Sequence, residues 1–106
     1  MNNNKVYGLL GLAMKAGKIA FGTDSCIEEI QRKRVKLVIV ATDAAERTKM
    51  KLSKICSDNN VAMIEFSTIE ELSNAIGKNN KAIVGIKDIN FSNEIKKIIN
   101  GGEAIG

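Results

Sequence analysis

The chain has 106 residues, 44% hydrophobic and 26% charged, with a formal net charge of +4, which is a globular composition with room for one core and not two. No run approaches the roughly 18 apolar residues of a membrane span, and Met1-Asn2-Asn3-Asn4-Lys5 leads into an amphipathic segment rather than a secretory one. Histidine is absent, and Cys26 and Cys56 lack the close spacing of a zinc site or redox pair, so both read as reduced packing residues of a cytoplasmic protein.

Val6, Leu9, Leu10 and Ala13 recur at helical spacing and predict a helix over residues 4–15 that stops near Gly17. Gly8 and Gly11 weaken it, and glycines so placed mark close packing against another element. Ile19-Ala20-Phe21 is a short strand. A second helix follows over 23–33 with Cys26, Ile27 and Ile30 inward, and its Gln31-Arg32-Lys33-Arg34 end suits the negative pole of the helix dipole. Val35 through Ala41, around Leu37-Val38-Ile39-Val40, is the apolar run of a central buried strand. Thr42-Asp43-Ala44-Ala45 then turns into a helix over 46–58. Leu52, Ile55 and Cys56 make its core face, Arg47, Lys51 and Lys54 gather opposite with Met50 among them, and Lys49 sits at the margin.

Asp58-Asn59-Asn60 closes that helix, and residues 61–66 form the next strand. Ser67 or Thr68 caps a helix with Glu70 or Glu71 in its first turn, ending at Gly77. After the polar Lys78-Asn79-Asn80-Lys81 turn, residues 82–86 are a fourth strand. Ser92 starts a last helix through Asn100, the Gly101-Gly102 pair ends it, and residues 103–106 fray. Helices and strands alternating without proline, repeat or linker predict one layered α/β domain over residues 1–106.

Charge is uneven along this frame: residues 1–54 carry eleven basic and five acidic side chains, residues 55–106 five and seven. A positive field of that kind attracts nucleic acid or another anionic surface. At Gly22-Thr23-Asp24-Ser25 an open helix start, joined by Lys15 and Lys18, offers N–H groups to a phosphate or base edge without covalent chemistry. Asp24 is either a plain N-cap or an acceptor for a base amino group. Thr42 and Asp43 follow the most buried strand, where α/β sheets form sites, although Asp43 equally suits a cap for the helix beginning near Glu46. No paired carboxylates, no partnered serine or cysteine and no phosphate-loop or dinucleotide-loop glycines support an enzyme or a bound cofactor. The clusters Arg32-Lys33-Arg34-Lys36 and Arg47-Lys49-Lys51-Lys54 fit backbone contacts or ordinary solvated faces. Tyr7, Phe21, Phe66 and Phe91 make no interleaved stacking surface, so folded RNA read by shape fits better than an unpaired strand.

Four segments resemble a known family in order and spacing: residues 6–13, Ala16-Gly17-Lys18, residues 36–44 and residues 70–78. Across about residues 4–90 the chain resembles the small bacterial members of the ribosomal protein L7Ae family, the kink-turn RNA-binding superfamily, and above all its YlxQ-like branch. The resemblance implies a three-layer α/β/α sandwich with a mixed four-stranded sheet. It also implies RNA contacts at Gly22, Thr23, Asp24, Ser25, Ile27 and Glu28, with Gly77, Lys78, Asn79, Asn80 and Lys81 in a loop that covers the kink. The family motif reads glycine, any residue, asparagine, glutamate, any residue, threonine, lysine. This chain keeps Gly22 and has Asp24, Ser25, Ile27 and Glu28 at the four selective positions.

Two functions stand side by side. The first is non-enzymatic binding of kink-turn or internally looped RNA, ribosomal RNA or another structured transcript, by a cytoplasmic monomer with a ribosome- or translation-associated role. The second is a protein-interaction or ribosome-assembly adaptor with a relaxed RNA site and ribosomal proteins as partners.

Overall fold

The computed structural model describes residues 3–102. The order is α1 (Asn3–Lys15), β1 (Ile19–Phe21), α2 (Thr23–Gln31), β2 (Leu37–Val40), α3 (Glu46–Asp58), β3 (Ala62–Glu65), α4 (Ile69–Ala75), β4 (Ile83–Ile86) and α5 (Ile89–Lys96), closed by a π-helical turn over Lys97–Gly102. The strands form one sheet in the order β1-β4-β2-β3. β2 runs parallel to β3 and antiparallel to β4, and β4 antiparallel to β1, so the sheet is mixed.

All four residues of β2 and of β4 are buried, because helices cover both faces of the sheet and an unbroken apolar run is what such a strand requires. α2 and α3 touch each other and lie against β1, β4 and β3, while α1, α4 and α5 cluster on the other side, giving the α/β/α sandwich. The register sets Ala20, Gly85 and Val38 in one row. A Cβ at Gly85 would stand 3.4 Å from Cys26 Sγ and 3.5 Å from Val35, ordinary contact distances, so Cys26 of α2 and Val35 pack directly over this row. On the opposite face Val6, Leu10 and Ala13 of α1 are fully buried at a spacing of four and three, and each large apolar side chain removed from water this way stabilises the fold by about 1.5–3 kcal/mol. The close packing expected of the α1 glycines holds at Gly11, where an added Cβ would meet Ala75 O at 3.3 Å, and not at Gly8, which has open space around it.

Most boundaries fall within two residues of expectation, and the differences have local causes. α2 ends at Gln31 rather than at 33, because Lys33 takes a left-handed backbone with φ of 63°. α5 starts at Ile89 rather than Ser92: Asp88 Oδ2 accepts from Phe91 N at 2.9 Å and caps it one turn earlier. Ser92 is instead fully buried inside that helix. Gly101 and Gly102 belong to the π-helical turn rather than ending a helix at Asn100. The expected frayed residues 103–106 lie outside the described residues. Cys26 and Cys56 are free and buried. Burial pushes the Cys26 thiol up to about 12 and the Cys56 thiol up to about 11, the behaviour of packing residues and not of nucleophiles.

Candidate nucleic-acid interface

Because β1, β2 and β3 all run opposite to β4, their carboxyl ends share one edge of the sheet with the amino end of β4. α2, α3 and α4 begin at that edge, so the positive ends of three helix dipoles converge there. The Gly22 N–H donates to Ile83 O at 3.0 Å, and Gly22 O accepts the first bond of α2, from Cys26 N at 3.1 Å. Gly22 has φ of 89°, a conformation that disfavours any residue with a Cβ. No side chain caps α2, so its first-turn N–H groups face outward unsatisfied by the helix. Asp24 and Ser25 are exposed in that turn and Thr23 is half-buried. Asp24 is therefore not the N-cap; Gly22 occupies that position.

The loop from Gly77 to Ala82 arrives beside this helix start through the pairing of β4 with β1. Lys78 Nζ stands 5.1 Å and Lys81 Nζ 5.5 Å from the centroid of the Phe21 ring, within reach of its negative face. Phe21 thus holds two ammonium groups next to Gly22. Ser73, buried near the end of α4, fixes the loop from beneath: its Oγ accepts from Lys81 N at 2.7 Å and donates to Lys81 O at 3.3 Å, while its carbonyl accepts from Lys78 N at 2.8 Å. Asn79 and Asn80 lie exposed at the tip, Asn80 with φ of 56°.

Thr42 and Asp43 come to the same edge. Thr42 donates to Ser67 O through both its N–H (2.8 Å) and its Oγ1 (2.7 Å). Asp43 Oδ1 accepts from Ile69 N at 2.9 Å. The helix it serves is therefore α4 and not α3, whose N-cap, Ala45, receives no side-chain hydrogen bond. Asp43, Asn74, Asn79 and Asn80 line a shallow polar groove of ≈ 410 Å³. Lys49 is spoken for, donating to Thr42 O at 2.7 Å and pairing with Glu65 at 3.2 Å.

Three of the expected residues stand away from this cluster. Lys15 and Lys18 lie at the opposite edge, where Lys18 O accepts from Lys87 N at 2.8 Å; the three residues of β1 separate Lys18 from Gly22, four extended steps or about 13 Å of chain. Glu28 lies further along α2, with its carboxylate 3.1 Å from Arg32 Nη2. Two residues that organise the edge, Phe21 and Ser73, had no assigned part in the sequence reading. Phe21 was detectable as the aromatic that ends a strand immediately before the glycine. Ser73 carried no local signal, since its partner lies eight residues on in a loop. Among the described residues no group of three or more carboxylates and thiols is placed to hold a metal ion, and no helix is long and apolar enough to cross a membrane.

The profile of the Ribosomal protein L7Ae/L30e/S12e/Gadd45 family matches residues 4–96, and the chain belongs to that family. It is 38% identical over 100 residues to "RNA-binding protein YlxQ" of Enterococcus faecium, covering 94% of this chain and 96% of that one. It is 31% identical to the protein of the same name from Bacillus subtilis (strain 168), over 94% of this chain and 100% of the relative. Among solved structures, a protein of unknown function from Bacillus halodurans superposes with a TM-score of 0.87 at 32% identity, over 91% of this chain and 97% of the other.

Proposed function

We propose that this protein binds structured RNA, of kink-turn or internally looped form, at the carboxyl edge of its sheet, and that it does so without catalysis in a ribosome- or translation-associated role. The observation that carries the reading is the placing of Lys78 and Lys81 over Phe21, directly beside the uncapped start of α2. Two cations and a row of outward N–H groups suit phosphate, while Asp24 and the amides of Asn79 and Asn80 suit base edges. Family membership and the RNA-binding names of two relatives support the same reading. The Lys15 and Lys18 contacts proposed from sequence would need a second stretch of backbone at the far edge.

A panel of structured RNAs containing a kink-turn, with a straight duplex of matched length, titrated at low and at physiological salt, tests it. Preference for the kinked RNA that persists as salt rises is the expected result. Equal weak binding that vanishes with salt would leave only electrostatic association and overturn shape recognition.

Glu28 favours the adaptor reading, because it puts an exposed carboxylate, paired with Arg32 at 3.1 Å, where the family motif has a lysine. Ribonuclease treatment of captured complexes separates the two: partners that survive it and bind directly when reconstituted support the adaptor, and partners that all leave with the RNA exclude it.

A further inference from the structure

The opposite edge of the sheet carries a second basic surface that the carboxyl-edge site does not use. Lys18 precedes β1, Lys36 precedes β2 and Lys87 follows β4. Backbone bonds from Lys87 N to Lys18 O and from Lys36 N to Ile86 O, each 2.8 Å, continue the ladders past the strand ends. By that register the three lysines stand in one row on the α2 side of the sheet. Beside them a groove of ≈ 370 Å³ runs between the turns that follow α2 and α3, with Lys33 and Lys36 on one wall, Asn59 and Asn60 on the other, and Val35, Val61 and Ile89 beneath. Lys33 Nζ donates to Asn59 Oδ1 at 2.8 Å, which ties the two walls together.

Little negative charge offsets this row. Glu29 is shared between Arg34 at 3.6 Å and Lys87 at 3.5 Å. Asp88 turns inward to cap α5. Among the described residues Lys18 and Lys36 form no ion pair. Cations at helix ends can serve only to balance exposed carbonyls, and that accounts for Lys15 and Arg32 at the ends of α1 and α2. It does not account for Lys18, Lys36 and Lys87, which flank strands. Lys33, one residue beyond Arg32, shares that helix-end role, at a φ of 63° that favours glycine.

We propose that Lys18, Lys33 and Lys36, with the groove beside them, form a second binding surface for a phosphodiester backbone, so that the protein bridges two RNA segments at opposite edges of its sheet. Cations for phosphate, the exposed amide of Asn60 for a ribose hydroxyl and apolar side chains beside them match what a sugar-phosphate strand presents. The lysine surface recognises backbone by its own chemistry, whereas the bridging rests on the carboxyl-edge RNA site of the proposed function.

Bridging is measured by loading the protein on an immobilised kink-turn RNA and adding a labelled straight RNA duplex across a salt series of about 50 to 200 mM. Capture of the duplex is expected, and the triple variant Lys18→Gln, Lys33→Gly, Lys36→Gln should lose at least about 10-fold in duplex affinity at low salt, with a log–log salt slope smaller by about 2 to 3. Its hold on the kink-turn RNA should be unchanged. Lys33→Gly alone gives the left-handed position its preferred residue, so weaker duplex binding without a lower Tm removes misfolding as the cause. An unaltered duplex slope in the triple variant overturns the proposal, as does displacement of the duplex by polyglutamate as readily as by RNA, which would indicate an acidic protein partner. Duplex binding that depends on these lysines, in a protein showing no kink-turn preference, would uphold this surface and refute the carboxyl-edge reading.

Discussion

Asp43 at the end of β2 reaches across 26 positions of sequence to accept from the backbone N–H of Ile69 at 2.9 Å. With Thr68 Oγ1 accepting from Glu71 N at 3.1 Å, α4 begins with two side-chain acceptors on its first turn. The helix that ends beneath the Lys78–Lys81 loop is thus anchored at its start to the central strand.

Asp43→Ala should lower stability by about 1 kcal/mol, the usual loss of a capping acceptor. Asp43→Asn should lose less, because its amide oxygen still accepts. Urea unfolding of the two variants measures this, and an unchanged midpoint in Asp43→Ala would show that the contact adds nothing.

Ser73→Ala removes both hydrogen bonds to the Lys81 backbone and leaves a partly buried N–H without its acceptor, a loss of about 1–3 kcal/mol. Since the loop carrying Lys78 and Lys81 rests on Ser73, discrimination between kinked and straight RNA should weaken in the folded variant. Retained discrimination would detach the loop's geometry from recognition.

Asp24→Ala separates capping from recognition more sharply than the sequence allowed. Gly22 holds the N-cap position, so the variant forfeits only the attraction of a first-turn carboxylate to the dipole, about 0.3–1 kcal/mol. Preference for the kinked RNA should fall by about 1–3 kcal/mol if Asp24 accepts from a base, a difference that paired titrations resolve.

The two glycines of α1 should respond in opposite ways to alanine. Gly8→Ala places a methyl in open space within a helix and should stabilise by about 0.5–1 kcal/mol. At Gly11 the same methyl would press on Ala75 O at 3.3 Å, so the α1 and α4 backbones must part and the propensity gain is offset. A higher Tm for Gly11→Ala than for Gly8→Ala would contradict the packing described.

Alkaline pH should destabilise the fold through its thiols. Their folded values, about 12 for Cys26 and about 11 for Cys56, lie above the ordinary 9.0, so above pH 9 the unfolded chain loses protons that the native protein keeps. Stability contributed by the neutral thiols is complete below pH 9 and declines above it, by about 1.4 kcal/mol per pH unit for each thiol while only the unfolded state titrates. Unfolding Cys26→Ala and the parent protein at pH 8, 9 and 10 checks the sign, the variant showing the shallower decline.

Periodicity and punctuation sufficed for the elements: the four-residue apolar run of β2 announced a buried central strand, and Ser67 or Thr68 with Glu70 or Glu71 announced the start of α4, where Thr68 and Glu71 make the bond. Both are local signals, written within one element or one turn. What each polar group at the site does was not legible, because its partner is distant in the chain. Asp43 fits a cap for α3 by proximity but serves α4, and Lys18 is four residues from Gly22 yet at the other edge of the sheet. Phe21 gains its part only when β4 pairs with β1 and brings Lys78 and Lys81 over its ring. Side-chain periodicity fixes which face of an element is apolar, whereas strand order and direction fix which element ends become neighbours, and that second choice is made by packing of the whole chain.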